Sequence, residues 1–143
     1  MDIACGSEHV VVVGGRGDIY RWKLHDKEQK NTKILQLNSW GRGQSGRLGL
    51  NSEEDQCSPK EVELKTDDIY ITNVECGADG TIFISHEGDL YACGNNENNK
   101  LGLNDQNGWV FSGEVKQALV PTRIKAVKQK IISGNWKDIK ICI

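Results

Sequence analysis

Apolar residues along this chain come in short runs between glycine-rich turns. His9-Val10-Val11-Val12-Val13 is a continuous β-branched run, and Thr81-Ile82-Phe83-Ile84-Ser85 is its counterpart in the second half. Continuous rather than alternating apolarity predicts strands covered on both faces. Gly14-Gly15-Arg16-Gly17-Asp18 is a turn cluster, so Ile19-Tyr20-Arg21-Trp22 is expected to fold back on the valine run as a hairpin. Ser58 to Leu64 alternates, with Val62 and Leu64 on one face and Pro59 marking an edge strand. Ile3–Gly6, Ile69–Val74 and Pro121–Ile124 read as further short strands, each bounded by turn residues.

The pattern is written twice. Cys5-Gly6 recurs as Cys76-Gly77 and Gly17-Asp18-Ile19-Tyr20 as Gly88-Asp89-Leu90-Tyr91, both 71 positions on. Arg47-Leu48-Gly49-Leu50-Asn51 recurs as Lys100-Leu101-Gly102-Leu103-Asn104, but only 53 positions on. Self-similarity at this period signals a repeat architecture and outranks any single-residue reading. Repeat one is set at about 3–64, repeat two at about 69–125, and 130–134 opens a third. Residues 135–143 read as a divergent tail, and the pattern leads one to expect that the chain stops inside a repeat.

The shift from 71 to 53 places an insertion at 23–39, either a surface loop bulging from a strand or residues added to the reading frame in error. Trp22 and Trp40 compete for the one repeat position held by Cys93.

Bulk properties narrow the function. The 143 residues carry a net charge of −2, so no long-range field favours nucleic acid or membrane. Sixteen glycines against two prolines suit short strands joined by tight turns. No apolar run is long enough to span a bilayer, and Asp2-Ile3-Ala4-Cys5 does not open a secretory signal. The expected location is cytoplasmic. The five cysteines, Cys5, Cys57, Cys76, Cys93 and Cys142, read as small buried thiols of a reducing compartment.

Candidate chemistry is sparse. Gly41-Arg42-Gly43-Gln44-Ser45-Gly46 spells a phosphate-cradling pattern, but no helix-forming run follows it, and Gly43 and Gly46 become Asn96 and Asn99 in the second copy. Asn shares with Gly a tolerance for positive φ, so both positions are expected to be left-handed. His9, His25 and His86 show no metal-ligand spacing and are read as structural or solvated. Glu53-Glu54-Asp55 and Asp67-Asp68 are read as solvated loop charge, and Lys125, Lys128, Lys130, Lys137 and Lys140 as a basic, solvated C-terminal face. Trp109 and Trp136 lie outside the repeated pattern, and an exposed Trp109 would be a contact candidate.

Together, the Cys-Gly strand end, the Gly-x-apolar-Tyr turn, Trp-Gly, Leu-Gly-Leu and the later Pro-x-x-apolar strand resemble the RCC1 repeat. The resemblance runs from Ile3 to Ile132 and implies a β-propeller with blades of four antiparallel strands. The fold class expected is all-β: a partial propeller of about two four-stranded blades plus the start of a third. Cys5-Gly6-Ser7-Glu8-His9-Val10-Val11-Val12, Gly46–Leu50 with Ser52–Asp55, and Asn99–Asn104 are similar to the RCC1-like segment of a large NIMA-family mitotic kinase. That resemblance implies a non-catalytic regulatory segment that restrains a serine/threonine kinase and binds partners, and it adds a nuclear or cytoskeletal location during division as the alternative to the cytoplasm. Two alternatives stay open: a segment of an RCC1-type exchange factor for a small GTPase, or a stand-alone scaffold. The plant branch that senses ultraviolet light uses a Gly-Trp-Arg-His-Thr run, absent here. No catalytic, cofactor or metal residues are assigned and no cofactor is expected. Partners are expected to be proteins, in particular a kinase domain or a small GTPase, through residues the sequence does not single out.

Overall fold

The computed structural model describes residues 2–15, 35–65, 69–104 and 113–125. The first sheet is built from β1 (Asp2–Cys5), β2 (His9–Gly15), β3 (Leu35–Gly41) and β4 (Gln56–Glu61). The second is built from β5 (Ile71–Cys76), β6 (Gly80–Ser85), β7 (Leu90–Asn95) and β8 (Gln117–Arg123). Each is an antiparallel meander in strand order. They pack face to face as adjacent propeller blades. Short 3-10 turns, Gln44–Gly46 and Glu97–Asn99, follow β3 and β7.

The partner of β2 differs from the hairpin expected. Val10 lies opposite Trp40 and Val13 opposite Leu37, so the strand beside the valine run is Leu35–Gly41. Ile19–Trp22 and residues 23–34 fall outside the described residues. The last five residues of the expected insertion, Leu35 to Ser39, are therefore strand. The reason lies in their alternation: Leu37 and Ser39 are buried while Gln36, Asn38 and Trp40 are half-buried. Trp40, not Trp22, takes the position of Cys93 in the described sheets.

Gly41 completes the register. At φ 111 it lets the Glu8 carbonyl approach to where a Cβ would stand 2.4 Å away, and Arg42 N donates to that carbonyl at 2.8 Å. Gly94 repeats this at φ 114, with Asn95 N donating to Asp79 O at 3.0 Å.

The core is the seam between the sheets. Ala4, Val11, Val13, Leu37 and Val62 meet Ile71, Val74, Phe83, Tyr91 and Cys93. A second cluster of Ile82, Ala92 and Leu101, flanked by Leu90, Leu103 and Ile124, lies on the far face of the second sheet. All six residues of β6 are consequently buried. β2 departs from that expectation: His9, Val11 and Val13 are buried, but Val10 and Val12 are half-buried. The outer face of the first sheet, carrying Ile3, Cys5, Val10, Val12 and Trp40, has no sheet against it among the described residues. Its repeat equivalents Val74, Cys76, Thr81, Phe83 and Cys93 all face the first sheet.

Candidate interaction site: the seam and its rim

A buried polar chain crosses the seam. Thr81 Oγ1 donates to the Arg47 carbonyl at 2.8 Å, which uses its only proton. His9 Nε2, 2.8 Å from the same oxygen, must therefore carry the hydrogen and donate. That tautomer leaves His9 Nδ1 as a buried acceptor with no partner. Burial, with the Arg47 charge second and Asp79 opposing both, lowers the His9 pKa from 6.5 to about 4. His9 thus belongs to the fold as a neutral imidazole.

Arg47 is the other half of the link. Its side chain donates to Ala78 O at 2.8 Å across the seam and to Gln44 O at 3.0 Å within its own loop. Its carbonyl also takes the Cys93 thiol at 3.4 Å. Glu8 holds the rim of the first sheet, accepting from Arg42 at 2.9 Å through both carboxylate oxygens and lying 3.4 Å from Arg47. Asp79, the repeat equivalent of Glu8, accepts from Lys100 at 2.7 Å and Asn95 at 2.9 Å. Burial alone would raise the Asp79 pKa, but these hydrogen bonds and the Lys100 and Arg47 charges outweigh it and lower it.

The glycine pattern at 41–46 is a structural clamp. Gly43 N donates to Asp55 Oδ1 and Ser45 N to Glu53 Oε1, both at 2.8 Å. The backbone donors a phosphate would seek are held by the chain's own carboxylates. Glu53 and Asp55 are thus more than solvated charge.

The left-handed expectation holds for Gly46 (φ 77) and Asn99 (φ 55) but not for Gly43 (φ −93) or Asn96 (φ −111). At Gly43 the demand is space: a Cβ would stand 2.1 Å from Glu54 O. Asn96 fills the equivalent space with its side chain, donating to Val115 O at 2.7 Å and accepting from Leu101 N at 2.9 Å.

The outer edge of the seam is equally specific. A bulge in β8 sets three residues, Leu119 to Pro121, against Cys93, between the pairs Ala92–Thr122 and Gly94–Ala118. The loop that follows the first 3-10 turn lies on this bulge. Asn51, at φ 59, donates its N–H to Leu119 O at 2.8 Å. β4 carries the same bulge, with Cys57 to Pro59 against Trp40, and there all three residues are exposed.

The remaining candidates are placed as follows. His86 is exposed and stacks on Tyr70, ring centroids 4.0 Å apart and planes 6° from parallel. Cys93 is buried and Cys76 half-buried, whereas Cys5 and Cys57 are exposed, against the expectation of buried thiols. Cys5 sits on the face with no sheet against it and Cys57 in the β4 bulge. Burial pushes the Cys76 pKa up to about 11 and raises that of Cys93 further. Lys125 is exposed. His25, Trp22, Trp109, Trp136, Asp67, Asp68, Lys128, Lys130, Lys137, Lys140, Cys142 and the segment 130–143 lie outside the described residues. Sequence reasoning missed the seam itself; the signal was the polar residue that opens each apolar run, His9 before Val10–Val13 and Thr81 before Ile82–Ile84.

Comparison with known proteins gives a consistent picture. The Regulator of chromosome condensation (RCC1) repeat matches residues 36–84 and 87–140. A second description of the same repeat matches residues 71–100. The chain is 40% identical over 102 residues to the serine/threonine-protein kinase Nek9 of Mus musculus, covering 71% of this chain and 8% of that protein. It is 36% identical over 115 residues to Nek9 of Xenopus laevis, covering 80% of this chain and 10% of that protein. The chain thus spans about a tenth or less of these curated relatives. Among solved structures it is similar to Prp20p of Saccharomyces cerevisiae, described with its binding to Gsp1p and histones. That match has a TM-score of 0.62 and 25% identity, covering 87% of this chain and 26% of the other.

Proposed function

The chain belongs to the RCC1-repeat family, and from that premise we propose that it is a regulatory, protein-binding propeller segment that restrains the kinase domain of a NIMA-type serine/threonine kinase. The observation that carries this reading is where the polar side chains go. His9, Arg47 and Thr81 are spent joining the sheets, and Glu8 and Asp79 are spent holding the rim loops. Such an arrangement makes a stiff platform whose loops keep fixed positions, which lowers the entropic cost of docking a partner. The likeness to Nek9 supports a kinase as the partner.

A titration tests this. Purified chain is added to the isolated kinase domain of a Nek9-type enzyme, and phosphorylation of a peptide substrate is followed alongside direct binding. A saturable fall in rate that tracks binding is expected; unchanged rate with no measurable binding overturns the reading.

The likeness to Prp20p, described with its binding to Gsp1p, favours a second reading as an exchange-factor segment. Faster release of a fluorescent nucleotide from a small GTPase on adding the chain would establish it in place of the first.

A further inference from the structure

Only two prolines occur in the chain, and only Pro59 directly follows a hydroxyl residue, Ser58. We propose that Ser58 is a phosphoacceptor site for a proline-directed serine/threonine kinase. This inference is independent of the partner named above.

Three observations carry it. First, Ser58 stands in the bulge of β4, where three residues face Trp40 between the pairs Ser39–Lys60 and Gly41–Gln56. The bulge lifts it out of the regular ladder on an edge strand, and edge strands present extended backbone to an incoming protein. Second, Cys57, Ser58, Pro59 and Lys60 are all exposed. Three of the other hydroxyls are engaged: Ser39 donates to Leu48 O at 2.7 Å, Thr81 to Arg47 O at 2.8 Å and Thr122 to Val120 O at 2.9 Å. Third, the two copies differ here. The second repeat has Val120 in place of Ser58, half-buried in the bulge where the loop ending at Asn51 docks. The first repeat keeps the bulge and carries a hydroxyl there, and no loop among the described residues docks on it.

The chemistry balances with ATP as donor. Ser58 Oγ attacks the γ-phosphorus, the bond from that phosphorus to the β,γ-bridging oxygen breaks, ADP leaves, and the hydroxyl proton passes to the base of the kinase. Lys60, two residues on, supplies a cation to the new phosphate, which carries about −1.5 to −2 charge at neutral pH. Pro59 has no N–H, and proline-directed kinases select for that at the position after the acceptor.

The test uses the full chain with a proline-directed kinase and ATP, read by intact mass and peptide mapping, with circular dichroism on the same samples. One phosphate on the peptide containing Ser58 is expected. It should be absent in S58A and slowed at least tenfold in P59A, with both variants retaining the parent spectrum. A basophilic kinase should leave Ser58 unmodified. Phosphate on other residues only, equal rates for P59A and parent, or modification of Ser58 confined to urea-unfolded chain would each overturn the assignment.

Discussion

Gly46 of the first sheet's loop lies against Leu119 of the second sheet so closely that a Cβ on Gly46 would stand 2.6 Å from the Leu119 Cα. Gly46 also sits at φ 77, where a side chain is strained in any surroundings. Gly46→Ala should therefore cost more than ~1 kcal/mol and lower the melting temperature. Gly14→Ala, where a Cβ meets nothing within 4 Å, should leave the melt unchanged or raise it. Equal melts for the two variants would remove the close approach from the account.

Acid should loosen the seam before it reaches the carboxylates. The His9 pKa is lowered from 6.5 to about 4 in the folded state, so the unfolded chain binds more protons between those values. Stability is full above pH 6.5, falls as pH drops toward about 4, and changes no further below that on account of His9. Asp79, lowered from 3.8, adds its own loss at lower pH still. Urea titrations at pH 7 and pH 4.5 measure the fall, and His9→Gln should flatten it.

Arg47 and Lys100 are equivalents with unequal duties. Arg47→Met leaves the Ala78 carbonyl without that partner and should cost about 1–3 kcal/mol. Lys100→Met removes a pair whose side chains are 32% and 29% exposed, and should cost no more than about 1 kcal/mol. Denaturant midpoints on the two variants decide it; a larger loss at Lys100 would contradict the seam.

Val12 and Phe83 are equivalents on opposite sides of the same logic. Phe83 is 0% exposed between the sheets, so Phe83→Ala should cost about 3–5 kcal/mol. Val12 faces outward and is half-buried, so Val12→Ala should cost about 1 kcal/mol or less.

Thiol labelling reads the same asymmetry without mutation. Cys5 and Cys57 should react within minutes of adding a maleimide. Cys76 and Cys93, with raised pKa values, should wait for unfolding.

Much of this was visible along the chain and some was not. Repeated Cys-Gly and Leu-Gly-Leu-Asn runs announced two similar sheets: Gly49 and Gly102 sit at φ 71 and 68, and at Gly6 a Cβ would meet the Gly77 carbonyl at 2.4 Å. Leu35-Gln36-Leu37-Asn38-Ser39 was misread because Gly17-Asp18-Ile19-Tyr20 offered a better letter match to the second copy. Backbone pairing rewards alternation and a glycine at position 41, not similarity of letters. Gly43 was misjudged because glycine serves two needs, positive φ and empty space, and one letter covers both. His9 with Thr81 could not be paired from sequence, since residues 72 positions apart meet only once the sheets stack.

The phase of the repeat bears on how such chains grow. The matched unit 36–84 supplies β3 and β4 to one sheet and β5 and β6 to the next, so it is out of phase with the sheets it builds. Copying that stretch in tandem would donate two strands to each neighbour and leave every older strand beside a familiar partner. Lengthening by duplication thereby preserves both edges of the break, and a gene that gains such a copy need not invent a new contact to accommodate it.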